Sequence, residues 1–432
     1  HQNYLFILIF FLYTSNEIVL KKIVTVSKIG DFMKVVKPES VGLDSKILQN
    51  VSDYLDSTYV KDGKYVGTLT LVSRKGKVAY LDALGLMDRE NDKAMRKDTI
   101  FRIYSMSKAI TSIAIMQLYE KSKFRLDDPV FWYIPSWKNL RVYQSGTYPN
   151  FLTTKPKRHM TIRDLLTHMS GLTYDFMYRT NVDAGYRETK VQQANNLEEF
   201  VEILSRLPLE FSPGDKWNYS VSTDVLGYIV EVISGMSLED YFNKFIFTPL
   251  DMTDTAFSCP EEKLDRLASL YEHNPKDSPR LLEIPFLNSK MQSGGGGLYS
   301  TMSDYHNFCS MLLHQGQFNG KRIIGRKTLD LMTTNHLPNN QDLTEMSESA
   351  FSETPYAGVG FGLGFSVMLD PAKSQTTSDI GEFGWGGAAS TVFMINPKED
   401  MFIIFLTQLL PSSTYQVRRE LRSIIYSALA AI

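Results

Sequence analysis

Read for its apolar and polar positions, the chain opens on an unbroken apolar and aromatic run, "YLFILIFFLY" (residues 4–13), and then settles into patterns of globular length. In residues 42–59, "GLDSKILQNVSDYLDSTY", apolar residues recur at helical spacing behind an acidic start, which predicts an amphipathic helix. Residues 66–85, "VGTLTLVSRKGKVAYLDALG", hold two β-rich runs around Arg74-Lys75-Gly76, the pattern of a hairpin. From Ser105 the stretch "KAITSIAIMQLYEKSK" is so continuously apolar that a largely buried helix is expected. Residues 126–289 carry mostly helical signal between loops, as in "MTIRDLLTHMSGL" and "NLEEFVEILSRL". The longest such pattern, "STDVLGYIVEVISGMSLEDYFNKFI", has an N-cap candidate at Ser222 or Thr223 and stops before Pro249. After the glycine run "SGGGGLYST" come two helical stretches, then strand-like runs in "GFGLGFSVML", "ASTVFMIN" and "MFIIFLTQ". "YQVRRELRSIIYSALAAI" supplies a closing helix.

Strands near both ends of the chain with helices between them predict an α+β fold: one antiparallel sheet built from both ends, flanked by helices, with a helical insertion. The division expected is an α/β domain from residues 33–125 and 290–432, and a mostly helical domain with lid-like loops at 126–289. Residues 1–32 are expected to be a leader or upstream extension, because Met33 opens "MKVVKPESVGLD", which reads as the start of a globular domain. The aromatic-rich residues 131–186 read equally as a lid or acyl-pocket wall and as packing within the helical part. The apolar run at 4–13 is short for a bilayer, so no stable membrane span is expected. Nothing basic precedes it and no A-x-A-like site follows, so the expected location is cytoplasmic; export to the periplasm is the alternative if the run acts as a signal core.

Composition narrows this picture mainly by exclusion. A hydrophobic share of 43% and a charged share of 22% are those of an ordinary globular protein, and a net charge of −2 gives no basis for nucleic acid as a partner. The seven histidines form no HExxH-type cluster, and neither of the two cysteines has a CxxC neighbour, so no metal or other cofactor is implied. Cys259 and Cys309 are expected to be buried free thiols rather than a disulfide. The 23 tyrosines and 25 phenylalanines suit a deep apolar pocket, and equally a large core.

Three short motifs carry candidate chemistry. In "FRIYSMSKAITS", Ser105 and Lys108 are spaced i, i+3, which puts hydroxyl and ammonium on one helix face. Near a helix N-terminus the dipole favours developing oxyanion charge, and a buried lysine sheds its proton more easily through desolvation. Composition alone yields roughly one or two S-x-x-K matches in a chain of this size, so by itself the spacing supports catalysis and ordinary helix equally. In "WNYSVSTDVLGYIVE", Tyr219 stands just before a helix after the turn "SPGD"; a phenol there can serve as general base, or simply pack. In "FGWGGAAST", Gly386 and Gly387 lie beside Trp385, where a strand edge lets a ligand approach the backbone and offers an N–H to an oxyanion; a glycine pair is also an ordinary turn. No G-x-S-x-G occurs, which removes the α/β-hydrolase elbow as a rival. His168 in "LLTHMSGL" is read as structural.

Together, in this order, the motifs closely resemble the serine β-lactamase and penicillin-binding-protein-like family, on its class C-like branch and the side of the family VIII carboxylesterases. The resemblance runs from about Val36 to the C-terminus and includes "LDDPVFWYIP", "TIRDLLTHMSGL", "FSPGDKWNYS", "GYIVEVISGMSLEDY" and "GGGGLYSTMSDYHNFCSML". It implies a β-lactamase/transpeptidase-like fold with the site between sheet and helical insertion. It also implies Ser105 as the acylated nucleophile, with Lys108 keeping the hydroxyl network polarised. Tyr219 is the implied general base, as phenolate or through Lys108, and the backbone N–H groups of Ser105 and Ala388 are the implied oxyanion hole. Which of Lys108 and Tyr219 carries the base role is not read from the sequence, because neighbouring ionisable groups lose their protons as a pair.

The departures from the lactamase pattern set the expected substrate. Tyr219-Ser220-Val221 stands where lactamases have Tyr-x-Asn, which removes the amide that contacts a β-lactam side chain. Trp385-Gly386-Gly387 stands where they have Lys-Thr-Gly, which removes a cation and a hydroxyl suited to a carboxylate and supplies an apolar wall. With Trp385, Gly386, Gly387 and Val221 as substrate-binding residues, the expected activity is hydrolysis of short-to-medium-chain carboxylic esters, a small-molecule substrate, with weak β-lactam hydrolysis as a side activity. Acyltransferase or β-lactamase/D-peptidase chemistry on the same fold is the alternative, followed by a catalytically silent scaffold. The sequence gives no oligomeric state.

Overall fold

In the hairpin pattern at residues 66–85, β1 (Gly67–Arg74) turns through Lys75 and Gly76 into β2 (Lys77–Asp88), as the two β-rich runs predict. The structure is a computed structural model that describes residues 33–283, 290–347 and 356–430, of which residues 35–430 belong to one compact unit. The leader and apolar run expected in residues 1–32 lie outside the described residues.

β1 is the sixth strand of an eight-stranded antiparallel sheet. With β3 (Lys93–Ala94), β4 (Val359–Phe361), β5 (Ser366–Met368), β6 (Phe383–Gly386), β7 (Val392–Asn396) and β8 (Met401–Leu406), its order is β4-β5-β6-β7-β8-β1-β2-β3. The two chain ends meet at β1 and β8, registered Leu69 to Leu406 and Arg74 to Met401. The run "GFGLGFSVML", which reads as one strand, folds into β4 and β5, because the chain reverses where the Gly362 N–H bonds to the Phe365 carbonyl and Gly364 takes a φ of 95°.

Helices cover both faces of the sheet. On one, α1 (Ser45–Leu55) and α5 (Val417–Ser427) present Leu48, Val51, Leu55 and Val417, Leu421, Ile425 to the inward residues Val392, Met394, Met401, Ile403 and Phe405. Each of these side chains removed from water stabilises the fold by roughly 1.5–3 kcal/mol before entropy is charged against it. On the opposite face lies α4 (Met302–Leu313), where the Tyr305 ring centroid is 5.3 Å from that of Phe393. α2 (Ser107–Glu120) is buried on every side from Ser107 to Leu118, as its unbroken apolar pattern predicts. It packs against α3 (Ser222–Ser234), which belongs to the chain between the two sheet-forming segments.

Two local expectations need correction. Neither Ser222 nor Thr223 caps α3: the N-cap is Val221, with no side-chain bond, because the Ser222 hydroxyl is engaged with the hydroxyls of Ser220 and Ser170. The signal read as helices and loops also conceals an antiparallel hairpin, Val142–Thr147 with Asn150–Thr154. Its β-branched and aromatic residues and its Tyr148-Pro149 turn give it a strand pattern. Cys259 and Cys309 are buried free thiols.

Candidate active site

Ser105 sits in a 3-10 turn, Tyr104–Met106, that runs straight into α2. Tyr104 takes a φ of 44°, a left-handed conformation that costs a non-glycine residue of order 1 kcal/mol or more. The surroundings hold the turn in place: the Ile103 N–H donates to the Leu298 carbonyl (3.1 Å), and the Tyr305 hydroxyl donates to the Met106 carbonyl (3.0 Å). The serine side chain is thereby presented at the head of a helix, where the dipole favours negative charge.

One turn on, Lys108 is 2% exposed, and the three donors of its ammonium are matched by three oxygens. Nζ lies 3.2 Å from Ser105 Oγ, 2.8 Å from the Tyr174 hydroxyl and 2.5 Å from the Gly295 carbonyl. It also stands 4.7 Å from the centroid of the Tyr219 ring, a cation–π contact. The i, i+3 spacing accounts for the Ser105 contact; the other partners come from distant parts of the chain.

Tyr219 is delivered by the loop ahead of α3, which is laced to residues 168–173. The Asn218 N–H donates to the His168 carbonyl (2.9 Å), Asn218 Nδ2 to the Leu172 carbonyl (2.9 Å), and the Val221 N–H to the Thr173 carbonyl (3.3 Å). Its ring packs among His168, Tyr174 and Trp385, with centroids 5.0, 5.4 and 5.5 Å away. Its hydroxyl accepts a hydrogen bond from Trp385 Nε1 at 3.3 Å. The residue expected to form an apolar wall thus also reaches the tyrosine with its one polar atom. Ser220, in the variable middle position of the motif, turns inward to His168 Nδ1 (3.2 Å) and Ser222 Oγ (2.8 Å). Burial, with the Lys108 charge nearby, pushes the His168 imidazole well below its usual range, so it stays neutral and supports the loop. Burial and the Asp224 carboxylate push the Tyr174 phenol well up.

The end of β6 closes the third side. A Cβ on Gly387 would come within 2.5 Å of the Ile103 carbonyl and 2.3 Å of Thr391 Oγ1, so only glycine lets this strand end press against the turn that carries Ser105. Ala388 follows directly. Ser105, Tyr219, Trp385, Gly386, Gly387 and Ala388 all line one open cleft of about 810 Å³, with Tyr356, Val359 and Phe383 contributing apolar surface. Val221 does not join them. It is wholly buried and does not line the cleft, because its N–H bond to Thr173 and its place at the head of α3 hold it in the interior. This corrects its expected contact with substrate.

Sequence reasoning missed Tyr174, Gly295 and Asp224. Tyr174 and Gly295 meet Lys108 across 66 and 187 residues, a separation no local pattern encodes. Their sequence signals were "GLTYDF" after a family marker and the glycine run itself. Asp224 reads as an ordinary first-turn acid of α3, yet it is 1% exposed and accepts hydrogen bonds from Ser293 Oγ (2.5 Å) and the Gly295 N–H (3.0 Å). Among the described residues no group of His, Cys, Asp and Glu is arranged to hold a metal ion.

A serine, a lysine and a tyrosine gathered at the end of a strand of an antiparallel sheet, beside a mostly helical layer, define a β-lactamase/transpeptidase fold. Residues 49–426 match the family described as Beta-lactamase, and the chain belongs to that family. It is 32% identical to Protein Rv1367c of Mycobacterium tuberculosis over 361 residues, covering 81% of this chain and 87% of that one. It is 27% identical to Esterase EstB of Burkholderia gladioli over 394 residues, covering 86% and 93%. Among solved structures it resembles EstCE1, described as a hydrolase with promiscuous acyltransferase activity, at a TM-score of 0.74 and 25% identity, covering 90% of this chain and 99% of that one. Among the described residues no helix is long and apolar enough to cross a membrane.

Proposed function

We propose that the protein is a serine carboxylesterase that cleaves short-to-medium-chain carboxylic esters through an acyl-enzyme on Ser105. Ser105 Oγ attacks the ester carbonyl carbon while its proton passes to the Lys108–Tyr219 pair. The oxyanion is met by the N–H groups of Ser105 and Ala388. Collapse breaks the bond to the alcohol, which leaves with that proton. Water then attacks the acyl-enzyme with the same pair accepting its proton, and the serine is restored as the acid departs. The observation that carries this reading is Lys108 Nζ held 3.2 Å from Ser105 Oγ and 4.7 Å from the Tyr219 ring. The likeness to Esterase EstB supports ester substrates, and so does Trp385 in the place of a carboxylate-binding lysine.

A second reading, acyl transfer to an alcohol in place of water, is favoured by the likeness to EstCE1. Turnover of p-nitrophenyl acetate, butyrate, octanoate and palmitate beside nitrocefin tests the main reading. The short-to-medium esters are expected to exceed nitrocefin by orders of magnitude, and Ser105→Ala to abolish both. Faster nitrocefin turnover overturns the esterase reading. Added short alcohols separate the two readings by whether a new ester accumulates.

A further inference from the structure

We infer that Asp224 is a positioning residue whose carboxylate clamps residues 293–295 so that Lys108 is both aimed at Ser105 and held in a field of negative charge. This rests on the reading of Ser105 as nucleophile.

The observations form a closed path. Asp224 lies in the first turn of α3, buried, and Ser293 Oγ and the Gly295 N–H both donate to its Oδ1. Its Oδ2 packs so tightly against Gly295 that a Cβ there would sit 2.4 Å away, so the peptide can be gripped only because residue 295 is glycine. The carbonyl of that same Gly295 takes one Lys108 hydrogen at 2.5 Å, and the Gly294 carbonyl takes the Thr111 hydroxyl at 2.7 Å. Both contacts tie the loop to the face of α2 that carries Lys108. Asp224 therefore fixes one of the three acceptors around the ammonium; with Tyr174 fixing a second, the remaining direction is the one towards Ser105 Oγ.

The clamp also carries charge. The groups facing Asp224 are Lys108 from α2 and Tyr174 from the loop before residue 181, with Tyr219 next to Tyr174. Burial pushes the Asp224 carboxyl up from the usual carboxylate range, while the Lys108 charge and the hydrogen bonds from Ser293 and Gly295 pull it back. Two bonds to an ionised oxygen, beside a buried cation, favour the carboxylate form.

Asp224→Asn separates the two roles, because an amide oxygen can keep both hydrogen bonds while the charge is lost. The measurement is the second-order rate of Ser105 labelling by a fluorophosphonate as a function of pH, which needs no knowledge of the ester substrate. Loss of the negative field lets the Ser105–Lys108–Tyr219 cluster release its proton more easily and makes it a weaker base. In D224N the acid limb is expected to move to lower pH by about half a unit or more, and the plateau rate to fall about tenfold. An unmoved limb with a wild-type plateau overturns the inference. If the wild-type chain is not labelled at all, it is the nucleophile reading that fails. If D224N does not fold, Ser293→Ala decides: it removes one bond from the same carboxylate oxygen, and a labelling rate reduced about threefold supports the clamp, whereas a wild-type rate overturns it.

Discussion

Trp385 shows how much one atom changes the meaning of a motif. As part of Trp-Gly-Gly it reads as an apolar replacement for a cation, and most of the side chain is that. Its indole N–H, however, lies 3.3 Å from the Tyr219 hydroxyl, the oxygen that carries the negative charge when Tyr219 serves as phenolate base. A hydrogen bond to a charged acceptor is worth about 1.5–3 kcal/mol, which corresponds to roughly 10–100-fold in rate if it stabilises the phenolate and not the neutral phenol. Trp385→Phe keeps the apolar ring and removes only this donor. Its kcat/KM on a short p-nitrophenyl ester is expected to fall by about tenfold or more, with KM little changed. A variant within about twofold of wild type would show that the indole serves as wall alone. At this scale the sequence was readable where chemistry is local. Ser105 and Lys108 are one helical turn apart, and Tyr219 stands in a turn before a helix. It was not readable where Lys108 finds Tyr174 and Gly295, since those contacts exist only after α2, α3 and the glycine run have packed together.

Among the elements, α4 shows the same difference between pattern and packing. Its apolar spacing after the glycine run predicts a helix, and "TMSD" marks a start in which the Thr301 hydroxyl accepts the Asp304 N–H. The pattern does not reveal that the Asp304 carboxyl is buried, accepting from the Asp254 N–H and the Thr255 hydroxyl, both at 2.8 Å. Burial pushes this carboxyl up from 3.8 to about 6. The folded state therefore holds the proton through a range in which the unfolded chain has already released it. The resulting stabilisation is fully present below about pH 4 and is lost as pH rises through about 6, a change of about 3 kcal/mol. Asp304→Asn has no proton to lose. Urea unfolding of both proteins between about pH 4 and 7 is expected to show the wild type losing ground to D304N as pH rises. A stability difference that stays constant with pH would rule out this linkage. The β1–β2 hairpin was legible because its two β-rich runs and the turn between them lie within one short window. The hairpin at 142–154 was not, because it sits among helical signals, and the N-cap of α3 was misread because Ser222 satisfies its hydroxyl inside a buried serine chain instead.

Across the whole molecule, the sheet joins the two ends of the chain, and this lets the last helix reach the site. That strands from both ends would share one sheet was inferable from their distribution; the order β4-β5-β6-β7-β8-β1-β2-β3 was not, because apolar strands covered on both faces do not encode their neighbours. α5 stands on that sheet and has two separable tasks. Leu421 is fully buried in the cluster between α5, α1 and the sheet, whereas Arg418, three residues earlier, donates through Nη2 to the Gly387 carbonyl (3.2 Å) and the Thr391 carbonyl (3.0 Å). These carbonyls bracket Ala388, the proposed oxyanion donor, so Arg418 helps set where that N–H points. Leu421→Ala is expected to cost about 2–5 kcal/mol of stability while leaving kcat near wild type well below its Tm. Arg418→Ala is expected to lower kcat about tenfold with a smaller change in Tm, since a small displacement of an oxyanion donor weakens transition-state binding more than folding. Thermal unfolding and ester kinetics on the two variants decide the matter. If Arg418→Ala keeps the wild-type kcat, or if Leu421→Ala loses activity in step with its stability at low temperature, the helix acts only as a cover for the sheet.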